Sequence, residues 1–335
     1  MNGAHGPQPQ PQTEVVDACP ACGQARADAP TYSDVRDVLG GTPGSWSLYT
    51  CSRCRSLFLH PRPVGQGLSD AYRTYYTHHE PAPAVPQGDA LVSRLIRGYL
   101  SHRFGAKSVS SDSIGYPFFR AIPPLRQQLD YFFRHLPARS GRLLDVGCGN
   151  GDFGRRAAVA GWDVTGVEPD QEAASRARSA GLSVHVGSFD SFLGAHRFDA
   201  ITLSHVIEHV PDPAKALQKA RELLVPGGSL WIATPNVAGP GRRWYGIDWR
   251  GLEPPRHTVV FTAQALRELL AAQGFVDIRF RRRGRGARYI LDQSLMTARA
   301  RHRSIGRLPT WIVDVLGSIS RFASEELVVT ATAPR

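Results

Sequence analysis

Lysine is almost absent from this chain: only Lys107, Lys215 and Lys219 occur, so nearly all of its 40 basic residues are arginine. No run approaches the roughly 18 consecutive apolar residues that a membrane span requires, which excludes a transmembrane protein of the helical kind. The first residues, MNGAHGPQPQPQTE, contain neither a positive n-region nor an apolar h-region. They are expected to form a Pro/Gln-rich disordered tail (1–14), not a secretory signal, and the expected compartment is the cytosol. A composition of 42% hydrophobic and 21% charged residues excludes a mostly disordered, collagenous or disulfide-stapled chain. At 335 residues the chain has room for two domains, or for one large α/β domain with an appendage.

Acids are also few, 29 against 40 bases, for a net charge of +11. The excess is local, because ten arginines between Arg279 and Arg307 face a single acid, Asp292. Two readings of that segment stay open. It reflects an arginine-rich genome composition, or it forms an anion-binding face, for which the guanidinium fork is suited.

The five cysteines divide as four plus one. Cys19-Pro-Ala-Cys22 and Cys51-Ser-Arg-Cys54 form two CxxC pairs, while Cys148 lies far away in a glycine loop. In a reducing compartment such pairs point to structural zinc, since four thiolates close a tetrahedral site and leave no open position for catalysis. The spacing predicts a zinc-ribbon-like module over 15–62, with strands Trp46–Cys51 and Ser56–His60 bringing the knuckles together. Residues 63–138 read as a linker and helical segment. Within it, Leu91, Leu95, Ile96, Tyr99 and Leu100 have helical spacing with arginines off the stripe, so the helix docks on its own protein or rests peripherally on a membrane.

From Arg142 strand-like runs (Arg142–Val146, Asp163–Val167, Ser183–Val186, Phe198–Leu203, Ser229–Ala233) alternate with helical runs, the pattern of parallel strands joined by right-handed crossovers in a doubly wound α/β sheet. The expected domain covers 139–335, with an Arg-rich helical insertion at about 281–322 and a last strand at Glu326–Ala333. Its first strand enters Asp145-Val-Gly147-Cys148-Gly149-Asn-Gly151, a GxGxG loop preceded by an acid. A dinucleotide fingerprint is GxGxxG and holds pyrophosphate. Asp145 repels pyrophosphate and attracts an ammonium group, so the fitting ligand is a nucleoside with a cationic tail and no phosphates, the description of S-adenosylmethionine. The second strand ends at Glu168-Pro169, where a carboxylate suits the ribose hydroxyls. After the third strand, Phe189 is placed to stack on adenine, and Ser188 or Asp190 to bond its amino edge.

The runs LLDVGCGNG, VTGVEPD, FDAITLSHVIEHVPDP and LLVPGGSLWIATPN together resemble class I S-adenosylmethionine-dependent methyltransferases, notably the branch of the ubiquinone-biosynthesis O-methyltransferases. The resemblance covers roughly residues 140–280. It implies a seven-stranded Rossmann-like methyltransferase sheet of order 3-2-1-4-5-7-6 with the last strand antiparallel. It also implies Asp145, Gly147 and Gly149 at the methionine end, Glu168 at the ribose, Ser188 and Phe189 at the adenine, and Ser204 with His205 beside the methyl group. The amino-terminal module is similar to that of sugar and surface-polysaccharide methyltransferases.

His205-Val-Ile-Glu208-His209 spells H-x-x-E-H, a pattern also used by one group of zinc peptidases. Both histidines would have to share a helical face, and Pro211 and Pro213 leave little helix here. His205, His209 and His257 are the candidate bases for a hydroxyl or activated-carbon acceptor. Trp244 and Trp249, in the loop that ends at His257, are expected to wall the pocket with Phe189. The expected acceptor is a small molecule: a sugar, nucleotide- or lipid-linked, or a natural-product hydroxyl, with the arginine segment holding any phosphate. RNA is the alternative acceptor, disfavoured by the missing Asn/Asp-Pro-Pro-aromatic motif, and a binding protein without chemistry is a further one. DNA is not an expected partner, and the sequence specifies no oligomeric state.

Overall fold

The computed structural model describes residues 12–65, 67, 71, 90–105, 114–194 and 196–335. Most of the expected tail (1–11) and parts of the expected linker and helical segment (66, 68–70, 72–89 and 106–113) lie outside the described residues. The amino-terminal part is built from short strands: β1 (Thr13–Glu14), β2 (Tyr32–Val35), β3 (Trp46–Thr50), β4 (Leu57–His60) and β5 (Arg62–Pro63). Strands β3 and β4 pair antiparallel with Tyr49 opposite Phe58, so the turn between them is the second cysteine knuckle. Helices α1 (Leu91–Phe104), α2 (Gly115–Ala121) and α3 (Pro123–Phe132) follow. They bury Phe104 and Phe119 in one apolar cluster with Leu143, Phe153 and Trp162 on one face of the main sheet. The basic helix α1 is thus a docked helix.

The alternation then runs β6 (Arg142–Val146), α4 (Asp152–Val159), β7 (Asp163–Glu168), α5 (Gln171–Ser179), β8 (Ser183–Val186), β9 (Phe198–Ser204), α6 (Pro213–Leu223) and β10 (Leu224–Pro235). It continues with α7 (Pro240–Tyr245), β11 (Val259–Val260), α8 (Ala263–Ala272), β12 (Val276–Arg281), α9 (Ala287–Ala300), α10 (Thr310–Ile319) and β13 (Glu326–Thr332). Side-chain caps set three of the helix starts: Asp170 accepts from Ala173 N at 2.7 Å, Asp212 from Lys215 N at 3.1 Å and Thr262 from Ala265 N at 3.1 Å.

The seven-stranded sheet has the order β8-β7-β6-β9-β10-β13-β12. Numbered along the domain this is 3-2-1-4-5-7-6, and β13 is antiparallel to both its neighbours. Leu144, Ile201, Leu203, Leu230, Ile232 and Leu327 are fully buried along it. Two consequences of the topology place the site. The parallel strands end along one edge, where ligands bind in open α/β sheets. Because β13 runs the other way, its first residue, Glu326, lies opposite Pro235 at the end of β10, on that same edge.

One pairing has no counterpart in the sequence reading. The two-residue strand β11 leaves the large domain and joins the cysteine module, with Val259 opposite Phe58 and Val260 opposite Leu57, giving a four-stranded sheet β11-β4-β3-β2. Arg256, 3% exposed, reinforces the junction by pairing with Asp37 at 2.8 Å. No helix among the described residues is long and apolar enough to cross a membrane.

Candidate cofactor and acceptor site

The glycine loop after β6 turns through three left-handed glycines, Gly147, Gly149 and Gly151. At Gly147, with φ of 67°, a Cβ would also meet Val206 Cγ2 at 2.7 Å, so no side chain fits. The loop's amides are turned to its own framework. Gly147 N and Cys148 N donate to Val167 O at 2.8 and 3.2 Å, Gly149 N to Glu168 Oε2 at 2.8 Å, and Gly151 N to Cys148 O at 3.0 Å. A phosphate nest needs such N–H groups aimed outward. This loop therefore offers a shaped turn beside carboxylates, not an anion hole.

Asp145 is wholly buried at the end of β6. Its Oδ1 accepts from Thr202 Oγ1 at 2.9 Å and from Arg134, whose guanidinium lies 3.8 Å from the centre of the Phe153 ring. Burial, only partly offset by Arg134, raises its pKa. Its Oδ2 is buried without a hydrogen-bond partner. The acid expected to meet a ligand cation thus already holds one internal cation on one oxygen and has an open acceptor on the other. Glu168, 6% exposed, spans the loop base, its Oε1 accepting from Asp170 N at 3.0 Å across the exposed Pro169. Burial raises its pKa against those two backbone bonds.

The adenine-side expectation needs correction. Phe189 is turned into the main apolar cluster, with the Lys219 ammonium 5.4 Å from its ring centre, so it does not present a stacking face. Ser188 Oγ accepts from Ser191 N at 3.2 Å within its own turn, leaving Ser188 and Asp190 exposed at the loop surface. Trp249, expected in a pocket wall, is also core, its Nε1 donating to Glu325 Oε2 at 2.7 Å. Trp244 is half exposed, and its Nε1 donates to Gly306 O at 2.8 Å.

A cavity of about 200 Å³ opens at the strand-end edge, lined in part by His205, Arg250, Glu253, His257, Arg283 and Glu326. Glu326 organises one side. Its Oε1 accepts from His205 Nε2 at 2.7 Å and from Tyr131 Oη at 3.3 Å, and its Oε2 pairs with Arg283 Nε at 2.9 Å. The other ring nitrogen of His205, Nδ1, lies 3.1 Å from Glu208 Oε1. Burial opposes a charged ring, but the bonds to Glu208 and Glu326 outweigh it and hold the His205 pKa well above its ordinary value. His205, one of the candidate bases, is therefore an imidazolium clamped between two carboxylates and is corrected to a wall residue. Half-buried Ser204 precedes it as the last residue of β9.

Glu326 resists its burial through Arg283 and His205, which hold its pKa at about 2. The two shifts have opposite pH signatures. Stability from His205 is full below its ordinary 6.5 and is lost as pH rises through the raised value. Stability from Glu326 is full above its ordinary 4.5 and is lost as pH falls towards about 2. Both contributions are complete between those ordinary values. Glu326→Gln breaks a buried pair and is expected to cost about 3 kcal/mol or more. It also reduces the alkaline loss of stability contributed by His205, which Glu208 alone then holds, a change that urea titrations from pH 5 to 9 detect.

His257 faces the same cavity from the loop before β11 and is 4% exposed. Its Nδ1–H donates to Gly251 O at 2.8 Å, so Nε2 carries the lone pair, 3.5 Å from Glu253 Oε2. Burial first, and then His209, lower its pKa well below the ordinary value, leaving a neutral ring at neutral pH. His209 packs edge-on against His257 with ring centres 4.6 Å apart, its Nδ1 3.1 Å from Arg256 O. The H-x-x-E-H run is a turn, not a helix.

The four knuckle cysteines converge: Cys19 and Cys54 sulfurs lie 3.7 Å apart, Cys22 and Cys51 sulfurs 3.5 Å apart, and all four ligand atoms fall within 4.8 Å of one another. Tetrahedral zinc with Zn–S near 2.3 Å places its sulfurs about 3.8 Å apart. Part of the arginine segment is paired within the fold. Arg283 pairs with Glu326, Arg301 and Arg303 with fully buried Asp248, and Arg288 and Arg307 with Asp292. Three of the ten arginines are thus tied to buried carboxylates, while Arg288 and Arg307 pair at the surface and the segment keeps a net positive charge.

The sheet order together with the acid-led glycine loop defines a class I S-adenosylmethionine-dependent methyltransferase domain. Residues 120–279 match a family model described as a methyltransferase domain. Among curated proteins, the chain is similar to the ubiquinone biosynthesis O-methyltransferase of Aromatoleum aromaticum, 37% identical over 123 residues, covering 34% of this chain and 52% of the relative. It is 36% identical to the enzyme of the same name from Xylella fastidiosa over 124 residues, covering 35% and 50%. The chain spans about half the length of the curated relatives it matches. Among solved structures, phosphoethanolamine N-methyltransferase 2 of Haemonchus contortus in complex with S-adenosyl-L-methionine aligns over 83% of this chain and 63% of that one, at 18% identity and a TM-score of 0.47.

Proposed function

We propose that this chain methylates a hydroxyl of a small polar ring, a sugar or a natural product, using S-adenosylmethionine, with His257 as general base and the four cysteines holding structural zinc. The observation that carries the cofactor reading is the pairing of inward-turned loop amides with an unpartnered, buried Asp145 Oδ2. That donor set rejects phosphate and accepts an ammonium group. Asp145 and Thr202 would hold the amino-acid end, and Glu168 the ribose. Bound there, S-adenosylmethionine supplies an electrophilic methyl group.

The rest of the chemistry belongs to the chain. Nε2 of His257 takes the acceptor's hydroxyl proton, and Glu253 beside it stabilises the imidazolium that forms. Gly251 O holds the tautomer. The clamped His205 and Arg283 give the opposite wall a fixed polar surface, while the buried strand ends exclude water. At about 200 Å³ the cavity is smaller than the roughly 300–1,000 Å³ typical of drug-sized ligands. It takes about one ring, so any diphosphate or lipid attached to the acceptor lies outside it.

The decisive experiment offers methyl-labelled S-adenosylmethionine to the purified protein, with nucleotide sugars and a lipid extract in one tube and total RNA in another. Label is expected in the small-molecule fraction. Label in RNA overturns the acceptor class.

A further inference from the structure

Helix α10 buries only Val313 and Gly317 and leaves most of its apolar side chains in solvent. Its polar side chains point inward: Asp314 Oδ1 accepts from Gly286 N at 3.1 Å and Ala287 N at 3.2 Å, and Ser318 Oγ donates to Gly284 O at 3.1 Å. Apart from Val313, its large apolar side chains are turned outward. Trp311 is 69% exposed, Val315 49% and Ile319 67%, a stripe at a spacing of four that Leu316 and Phe322 widen. No charged side chain interrupts that stripe, because the helix's one carboxylate is spent capping α9.

The rim of this ridge is basic. Arg307 precedes the helix and Arg321 follows it. Exposed Arg282 and Arg285 flank the Arg283–Gly284 backbone, against which Gly317 packs. Between Arg279 and Arg307, ten arginines meet only four pairing carboxylates, Asp277, Asp248, Asp292 and Glu326, so a large positive charge remains.

From this arrangement we infer that α10 and its arginine rim dock the protein on an anionic lipid bilayer. An uncharged apolar stripe led by a tryptophan, bordered by arginines, is the surface that sits at the boundary between headgroups and acyl chains. Each arginine near such a surface adds to the attraction. A second copy of the chain would set like-charged rims against each other, and a nucleic acid has no use for the apolar stripe. The neighbouring helix α9 contributes Tyr289 and Ile290 to the acceptor cavity, so docking holds that cavity close to the bilayer. The inference stands on the surface alone and does not require the methyl acceptor to be known.

The test is co-sedimentation of the full chain with vesicles of phosphatidylcholine alone and of phosphatidylcholine with about one-third phosphatidylglycerol. The expected result is at least about tenfold stronger partition onto the anionic vesicles, weakened by salt. Trp311→Glu and, separately, Ile319→Glu are expected to lower that partition at least about tenfold, with the melting temperature and S-adenosylmethionine affinity of the parent retained. Arg282→Glu with Arg285→Glu is expected to erase the preference for anionic lipid. Absence of binding to both vesicles overturns the inference. So does a concentration-dependent dimer that Trp311→Glu abolishes, or retention on RNA but not on vesicles.

Discussion

His257→Ala is expected to lower kcat by about a hundred- to ten-thousandfold, the usual contribution of a positioned acid or base, with little change in S-adenosylmethionine affinity. The physical reason is that this ring is prepared in one protonation state. Gly251 O fixes the proton on Nδ1, burial and His209 keep the ring neutral, and the Nε2 lone pair faces the cavity beside Glu253. Because the pKa is lowered, the acid limb of kcat lies below the ordinary histidine value of 6.5, and activity is flat through neutral pH. A His205→Gln protein behaves differently: its ring was never a free base, so the loss there tracks stability and not the pH limb. Steady-state rates across pH for both variants separate the roles. An unchanged turnover in His257→Ala removes the residue as base.

Cys51→Ser is expected to be nearly as damaging to activity, although Cys51 belongs to a module with no catalytic group. Closed thiolate sites contribute folding free energy outright, and such small modules unfold without their metal. Here the module's sheet receives β11, which begins two residues after His257, and Arg256 is pinned to Asp37 of the module. Thr262 Oγ1 also donates to Cys54 O at 2.9 Å. If the four cysteines hold zinc as proposed, its loss releases the loop that carries His257. The expected outcome is reduced zinc by elemental analysis, a lower first melting transition and a fall in kcat of at least about tenfold, with S-adenosylmethionine still bound. Full zinc content and a normal melt in Cys51→Ser contradict the ribbon.

Local patterns carried most of the fold into view. The strands Arg142–Val146 and Ser183–Val186 fall where the short apolar runs and the following glycines place them, and the glycine loop and cysteine knuckles are short enough to be read whole. What stayed hidden depends on partners distant in the chain. Arg134 reaches Asp145 only because α3 lies against the sheet, and nothing near Phe-Phe-Arg134 announces it. Glu326 joins His205 across 121 positions because β13 is antiparallel, an arrangement visible in topology and not in composition. Strand β11 is two residues long, below what periodicity can register. Phe189 is ambiguous for another reason: a single aromatic after a strand suits a core as well as a ligand, and the main apolar cluster claims it. Counting charges likewise does not show that Asp248 is buried between two of the arginines.

The loop after β6 selects its nucleoside by charge. Calorimetric titration of the purified chain with S-adenosylmethionine and, separately, with NADH and FAD tests this directly, with Asp145→Asn alongside. The expected result is one molecule of S-adenosylmethionine per chain, an affinity at least about tenfold weaker in Asp145→Asn, and no heat with either dinucleotide. Saturable binding of NADH or FAD that persists in Asp145→Asn, with S-adenosylmethionine silent, contradicts it.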